Sequence, residues 1–315
     1  MRLELASVAP LELKPDPWQR LLAIGSILSV IVLGVGLFIT NAANRHQQEA
    51  TRRQQDLAAA GQIADRFAQA IDQLGQAGAD KIDVRLGALY SLERIMRDSA
   101  IDQPAVVEVV AAFIRVHAPA SAANPIAPTA SPQNFRVPTT SVDIQAALTV
   151  LGRRNRDHDY LPHGLNLAGT NLGGANLADS QLDGANLDNA DLRGAFMSKT
   201  QLKGAFMGRA NLYGSTVSVA NLSKAFLVGA DLRYAKMHAT DLTWADLRGA
   251  DLRGADMLGA ALAMADLTGA DLRGAVNLTK DGVRCAKVDD LTRLPGGITR
   301  PAPLNDLELE FCRFS

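Results

Sequence analysis

One stretch gathers residue types that could bind metal: RDHDYLPH, residues 156–163, where His158 and His163 stand among Asp157 and Asp159. Imidazoles and carboxylates suit a divalent ion, but a closed site needs a further ligand and the spacing supplies none. The segment is read as a solvated turn. Arg153, Arg154 and Arg156, within and just before it, could meet phosphate on nucleic acid or on an anionic lipid headgroup. Asp157 and Asp159 alongside favour a neutral turn instead. Aspartates recur farther along at 191, 231, 251 and 271. Exposed carboxylates do not divide into general acid and base without burial to separate their pKa values. Cys285 and Cys312 give neither a disulfide framework nor a CxxC spacing. No catalytic, cofactor or metal site is predicted, and a non-enzymatic role is expected.

The elements that must carry any function begin with composition. Hydrophobic residues make up 47% of the 315, yet aromatics only 5%, which suggests an interior of Ala, Leu and Val rather than large rings. Lys plus Arg (32) nearly cancel Asp plus Glu (33), so no strong net field draws in nucleic acid or imitates it.

After an N-terminal tail, residues 1–20, the run Leu21 to Thr40 holds 20 residues without a charge, flanked by Trp18, Arg20 and Arg45. At about 1.5 Å per residue it spans a hydrocarbon core of roughly 30 Å, so a single-pass transmembrane helix in contact with membrane lipid is expected. Basic residues balance on its two sides. Residues 44–315 are assigned to the cytoplasm.

Residues 44–117 are expected to form a helical domain. Ile63, Phe67, Ile71 and Leu74 share one helical stripe; Ile82, Leu86, Leu89, Leu92 and Met96 form a second. Val106, Val110, Phe113 and Ile114 follow Pro104, which suits a first helical turn. A Pro-rich linker, 118–140, and a short helix, 141–152, come next.

From Leu167 to Leu272 an apolar residue returns every fifth position through 22 units: Leu in 17, Met at 197, 207, 237 and 257, Val at 217. In 21 of them a small residue stands two positions earlier. Neither helix nor flat strand has period five, and self-similarity over this length marks a solenoid.

The A(N/D)LXX pattern, as in ANLDNADLRGA, resembles that of the pentapeptide-repeat family. The resemblance implies a mainly β solenoid over residues 165–275, a right-handed quadrilateral β-helix with one pentapeptide per side and Leu192, Leu212, Leu232, Leu252 and Leu272 pointing inward. Residues 276–315 are expected to supply a closing helix and an extended tail. The order of helical segment, Pro-rich joint and repeats more loosely resembles membrane-linked actinobacterial members.

Four sides per turn stack positions twenty apart. Phe206 and Phe226 then share a column with Val228 beside them, an apolar strip that either docks a protein partner or is covered within the chain. Asp191, Asp231, Asp251 and Asp271 form another column, two positions ahead of Arg193, Arg233, Arg253 and Arg273; each Asp lies within reach of an Arg, in a solvent-facing ladder where Arg233 should matter little. The expected function is a membrane-anchored interaction scaffold or adaptor for an unknown protein partner, with a homodimer as one arrangement and no nucleic acid bound. The alternative is a DNA mimic regulating a topoisomerase; against it, residues 160–275 carry 11 acidic and 10 basic side chains.

Overall fold

The computed structural model describes residues 17–121, 135–159 and 164–302, with Glu310 and Cys312 near the end; within the first helix the side chains of 17–27, 29–32, 42 and 43 lie outside the described set. The tail segment 307–309, Phe311 and residues 1–16 also lie outside it, as does His163. The chain divides into two units, up to Ala64 and from Asp65 onward.

The first unit holds most of helix α1 (Pro17–Leu74). The expectation of a single-pass anchor at residues 21–40, with lipid contact and a cytoplasmic remainder, is corrected here: among the described residues no helix is long and apolar enough to cross a membrane. The helix does not end at Thr40 but continues into the polar stretch containing Arg45, Glu49, Arg52 and Arg53.

In the second unit, α2 (Ile82–Asp98), α3 (Gln103–His117) and α4 (Val142–Gly152) pack pairwise. Their stripes bury Leu89, Leu92, Val106, Val110, Ile114, Ile144, Leu148 and Leu151, and the last turns of α1 add Ala70 and Leu74. Helices of 11 to 17 residues are marginal alone, so this shared core is what holds them. One ion pair crosses it: Arg85 on α2 meets Asp143 on α4 at 2.7 Å, both side chains 7% exposed. Arg85 also donates through Nη1 to the carbonyls of Gln76 and Gly78, so all three of its nitrogens are engaged.

From 164 the chain winds as a β-helix. Parallel bridges join residues twenty apart without interruption, from Asn166–Asn186 to Asp256–Val276, giving four five-residue faces per coil. We number them by their bridging residues: face 1 (166 to 266), face 2 (171 to 271), face 3 (176 to 276) and face 4 (181 to 261). Among the described residues no bridge extends into a longer strand. The reason is local. From Leu172 to Leu272 each centre's carbonyl accepts from the amide three residues on, as Leu192 does from Ala195 at 3.0 Å, and this turn ends the extended segment after each bridge. Side chains alternate across that segment, so the small residue and the centre both face in while the bridging residue faces out. Leu192, Leu212, Leu232, Leu252 and Leu272 are all 0% exposed.

The Pro-rich stretch is engaged at both ends, while residues 122–134 lie outside the described set. Pro119 bridges Thr170 in antiparallel sense, and Thr140 donates to the Gly173 carbonyl at 2.8 Å. Phe135, Val137 and Pro138 lie across face 2, where the repeat has Gly194, Gly214 and Gly174. Gly174 has a φ of +70°, and a Cβ there would stand 1.9 Å from the Pro138 carbonyl oxygen. Both geometry and space therefore demand glycine at this crossing.

At the far end the expected closing helix is short. α5 (Lys280–Arg284), capped by Thr279, gives way to a chain that re-enters the coil, bridging Lys287 to Asp266 and Arg293 to Asp271. Cys285 and Cys312 form a disulfide with Cα atoms 5.5 Å apart, a correction to the expectation of unpaired cysteines. Their 27-residue separation follows no recognisable spacing, so the pairing had no sequence signal.

Candidate functional site

The basic run before the repeats is structural. Arg154 is buried, donating to Asp159 at 2.9 Å and to the carbonyls of Leu151 and Gln181 at 2.8 Å. Burial lowers its pKa, and Asp159 opposes that shift. Arg153 reaches Glu93 at 3.3 Å, and Arg156 pairs with Asp183. Asp157 and His158 sit in a 3-10 turn, Arg156–His158, and Asp159 is occupied by Arg154 and Gln103. Among the described residues no group of three or more metal-ligating side chains assembles.

Face 2 carries the Asp/Arg ladder. Arg193, Arg233, Arg253 and Arg273 each grip the Asp two residues earlier through Nε and Nη2, as Arg233 does with Asp231 at 2.8 and 2.7 Å. Contacts also run across coils: Arg233 to Asp251 at 3.6 Å and Arg253 to Asp271 at 3.9 Å. These bonds raise the pKa of Arg193, Arg233, Arg253 and Arg273, while Asp271, despite burial, is held low by Arg273. The face is not simply a solvent-facing ladder. Tyr213 is 0% exposed, edge-on to Phe135 at 4.9 Å and to Tyr234 at 5.4 Å, with the Arg233 guanidinium 5.2 Å from its ring centre. Arg233, expected in solvent, is 5% exposed.

Face 1 is different. Phe206 and Phe226 stack with centroids 5.0 Å apart and planes 7° from parallel, each ring 45% exposed and Val228 39% exposed. Rings on successive coils are held at the coil spacing by the ladder, so the strip is rigid and needs no rearrangement to receive a partner.

Sequence reading missed Arg115 and Gln145, and read Arg154 only as a candidate phosphate contact; these three seal the first coil, each bonded to a backbone group that would otherwise lack a neighbour. It also missed four exposed cations around face 1, for which the absence of Asp and Glu from 192 to 230 was a readable signal.

A family model described as pentapeptide repeats (8 copies) matches residues 163–198, 180–218, 197–233, 210–249 and 240–276. This chain belongs to the pentapeptide-repeat family. Solved pentapeptide-repeat proteins that it resembles include one from the Arabidopsis thaliana thylakoid lumen, at 31% identity over 31% of this chain and 64% of that one, TM-score 0.24. The chain thus spans about two-thirds of that protein's length. Another is HetL of the cyanobacterium Nostoc sp. strain PCC 7120, involved in heterocyst differentiation regulation, at 30% identity over 44% and 74%, TM-score 0.17. QnrB1, a plasmid-mediated fluoroquinolone resistance protein, aligns at 19% identity over 38% and 78%, TM-score 0.23. The matches extend to the pentapeptide-repeat family and not to its membrane-linked actinobacterial type. No curated protein matches the chain.

Proposed function

We propose that this pentapeptide-repeat protein is a non-enzymatic interaction scaffold that docks another protein on face 1 of its β-helix. The observation that carries this reading is the Phe206–Phe226 stack, half exposed on a rigid face. Aromatic side chains fixed in place bind with little conformational entropy to lose, which is why rings concentrate binding energy at interfaces. Asn occupies the same outward position in the first two coils, at 166 and 186, so the repeat does not require a ring there.

The DNA-mimic alternative would need uncompensated rows of negative charge. On face 2 every Arg of the ladder is bonded to its Asp, which removes support from that reading. The test is photo-crosslinking in cells from a benzoylphenylalanine at Val228, beside the rings on face 1, compared with one at Lys236 on face 3. A discrete adduct from face 1, lost with Phe206→Asn/Phe226→Asn, is expected. Equal labelling from both faces, or none, would remove the scaffold reading; inhibition of gyrase supercoiling by the purified chain would favour the mimic.

A further inference from the structure

Charge on the β-helix is distributed unevenly along its length. Between Leu192 and Ala230 there is no Asp or Glu, while Lys199, Lys203, Arg209 and Lys224 are all exposed. None of these four makes an ion pair among the described residues. Their placement follows from the register. Lys203 lies on face 4 and Lys224 at the corner leading into face 1, directly ahead of Phe206 and Phe226; Arg209 lies at the corner leaving face 1, and Lys199 at the corner entering face 4. The aromatic stack is therefore bracketed by cations on both edges. Three of the four, Lys199, Arg209 and Lys224, occupy the left-handed corner with φ of 60°, 55° and 59°, where other units of the repeat place glycine. Anions in the adjacent coils are engaged: Asp183 by Arg156, Asp188 by the Gly208 amide, Asp241 by the Thr243 amide, and Asp246, which bridges Phe226 on face 1, by the Arg248 guanidinium. Asp179 occupies the coil below Lys199.

Resting on the scaffold reading, we infer that face 1 accepts an acidic polypeptide segment of a partner protein whose apolar side chains seat on Phe206, Phe226 and Val228 and whose carboxylates meet Lys203, Arg209 and Lys224. Opposite charge at the rim selects and steers such a segment, while the rings supply contact area. Single-stranded nucleic acid fits less well. Bases stack on exposed ring faces, and here each ring turns a face to the other, leaving chiefly edges to solvent.

The test uses the full chain and a fluorescein-labelled peptide, Glu-Glu-Leu-Glu-Glu-Phe repeated twice, followed by fluorescence anisotropy at low and at 0.3 M salt. Saturable binding is expected, weakened tenfold or more by Lys203→Gln/Arg209→Asn/Lys224→Asn, by Phe206→Asn/Phe226→Asn, and by salt. Asn tolerates the left-handed corner, so the triple variant should keep the coil; unchanged circular dichroism verifies this. Equal binding of the peptide with Gln for Glu, indifference to the triple variant, tighter binding of an oligothymidylate, or self-association of the chain through face 1 would each overturn the inference. If crosslinking from face 1 depends on the rings but not on the cations, the acidic partner is wrong and the scaffold stands.

Discussion

Gln145 on α4 takes the place of a missing coil beneath Asn176. Its side-chain amide donates to the Asn176 carbonyl at 2.9 Å and its side-chain oxygen accepts from the Asn176 N–H at 2.8 Å, standing in for the two backbone bonds that a preceding coil would make on face 3. The other faces are closed in the same way: Arg115 donates to the Asn166 carbonyl at 2.6 Å, the Ala118 carbonyl accepts from the Asn171 amide at 2.6 Å, and Arg154 donates to the Gln181 carbonyl. A solenoid end left open is a template for edge pairing, so the helical domain acts as its cap.

Gln145→Ala should therefore lower stability by about 1–2 kcal/mol and release the Asn176 amide to solvent. Gln145→Glu keeps the acceptor and loses only the donor. Hydrogen exchange should find the Asn176 amide fast in the Ala variant and still slow in the Glu variant. Equal rates in both would mean that the side chain does not substitute for a coil.

Substitutions along the ladder should rank by burial rather than by charge. Leu232→Asp places an unpaired carboxylate among fully buried centres and should cost about 4 kcal/mol or more. Arg233→Ala removes a largely buried guanidinium that covers Tyr213 and bonds Asp231, an expected loss of about 1–2 kcal/mol. Arg248→Ala, which removes an exposed guanidinium beside Asp246 on face 1, should have the smallest effect. Urea midpoints of the three variants give the order, and a reversed order would show that the inward register or the packing on face 2 is misassigned.

That ranking marks how far the sequence could be read. The period of five, the inward centres and the twentyfold stacking of Asp191, Asp231, Asp251 and Asp271 are carried by local spacing, which any repeat displays along its own length. The burial of Arg233 is not local: it depends on Phe135 folding back onto Tyr213, nearly eighty residues away in sequence. Gln145 was equally opaque, because a single Gln in a short amphipathic helix has no pattern to distinguish a cap from a surface residue. The Phe206–Phe226 column could be placed from spacing, whereas its exposure depended on where the helical domain and the 135–140 segment pack.

The Arg85–Asp143 pair makes the helical domain sensitive to acid. Burial pushes the Asp143 carboxyl up, but the Ser141 hydroxyl, the Arg85 guanidinium and the Ile144 amide outweigh it and hold the group below its ordinary value. A carboxylate whose folded value is depressed contributes fully above its unfolded value of about 3.9 and loses that contribution as pH falls through the folded value. Unfolding midpoints should thus be level from pH 7 to about pH 5 in this respect and fall below about pH 4. Asp143→Asn should remove this share of the acid response while costing about 3–5 kcal/mol at pH 7 by stranding Arg85. Arg85→Met/Asp143→Leu should restore most of that loss; no recovery would argue that the pair orients α2 against α4 in a way apolar packing cannot replace.

The Cys285–Cys312 disulfide ties the end of the chain to the last coil, with Cys312 only 3% exposed. Beside it, Met264, Cys285, Lys287 and Pro301 line a cleft of ≈ 500 Å³. Cross-linking a 27-residue separation is worth roughly 3–4 kcal/mol by the loop-entropy relation, but that constraint acts on the terminal cap rather than on the repeats. Each coil bonds only to its neighbours, so loosening one end should not propagate far. Reduction by dithiothreitol, or Cys285→Ser/Cys312→Ser, should therefore accelerate hydrogen exchange in residues 280–302 and leave the amides of Leu192 and Leu212 as slow as before. Mass spectrometry of the untreated chain should show the mass two hydrogens below that of the reduced form. A uniform rise in exchange along the β-helix would instead make the disulfide a global fastener and the coils a single cooperative unit.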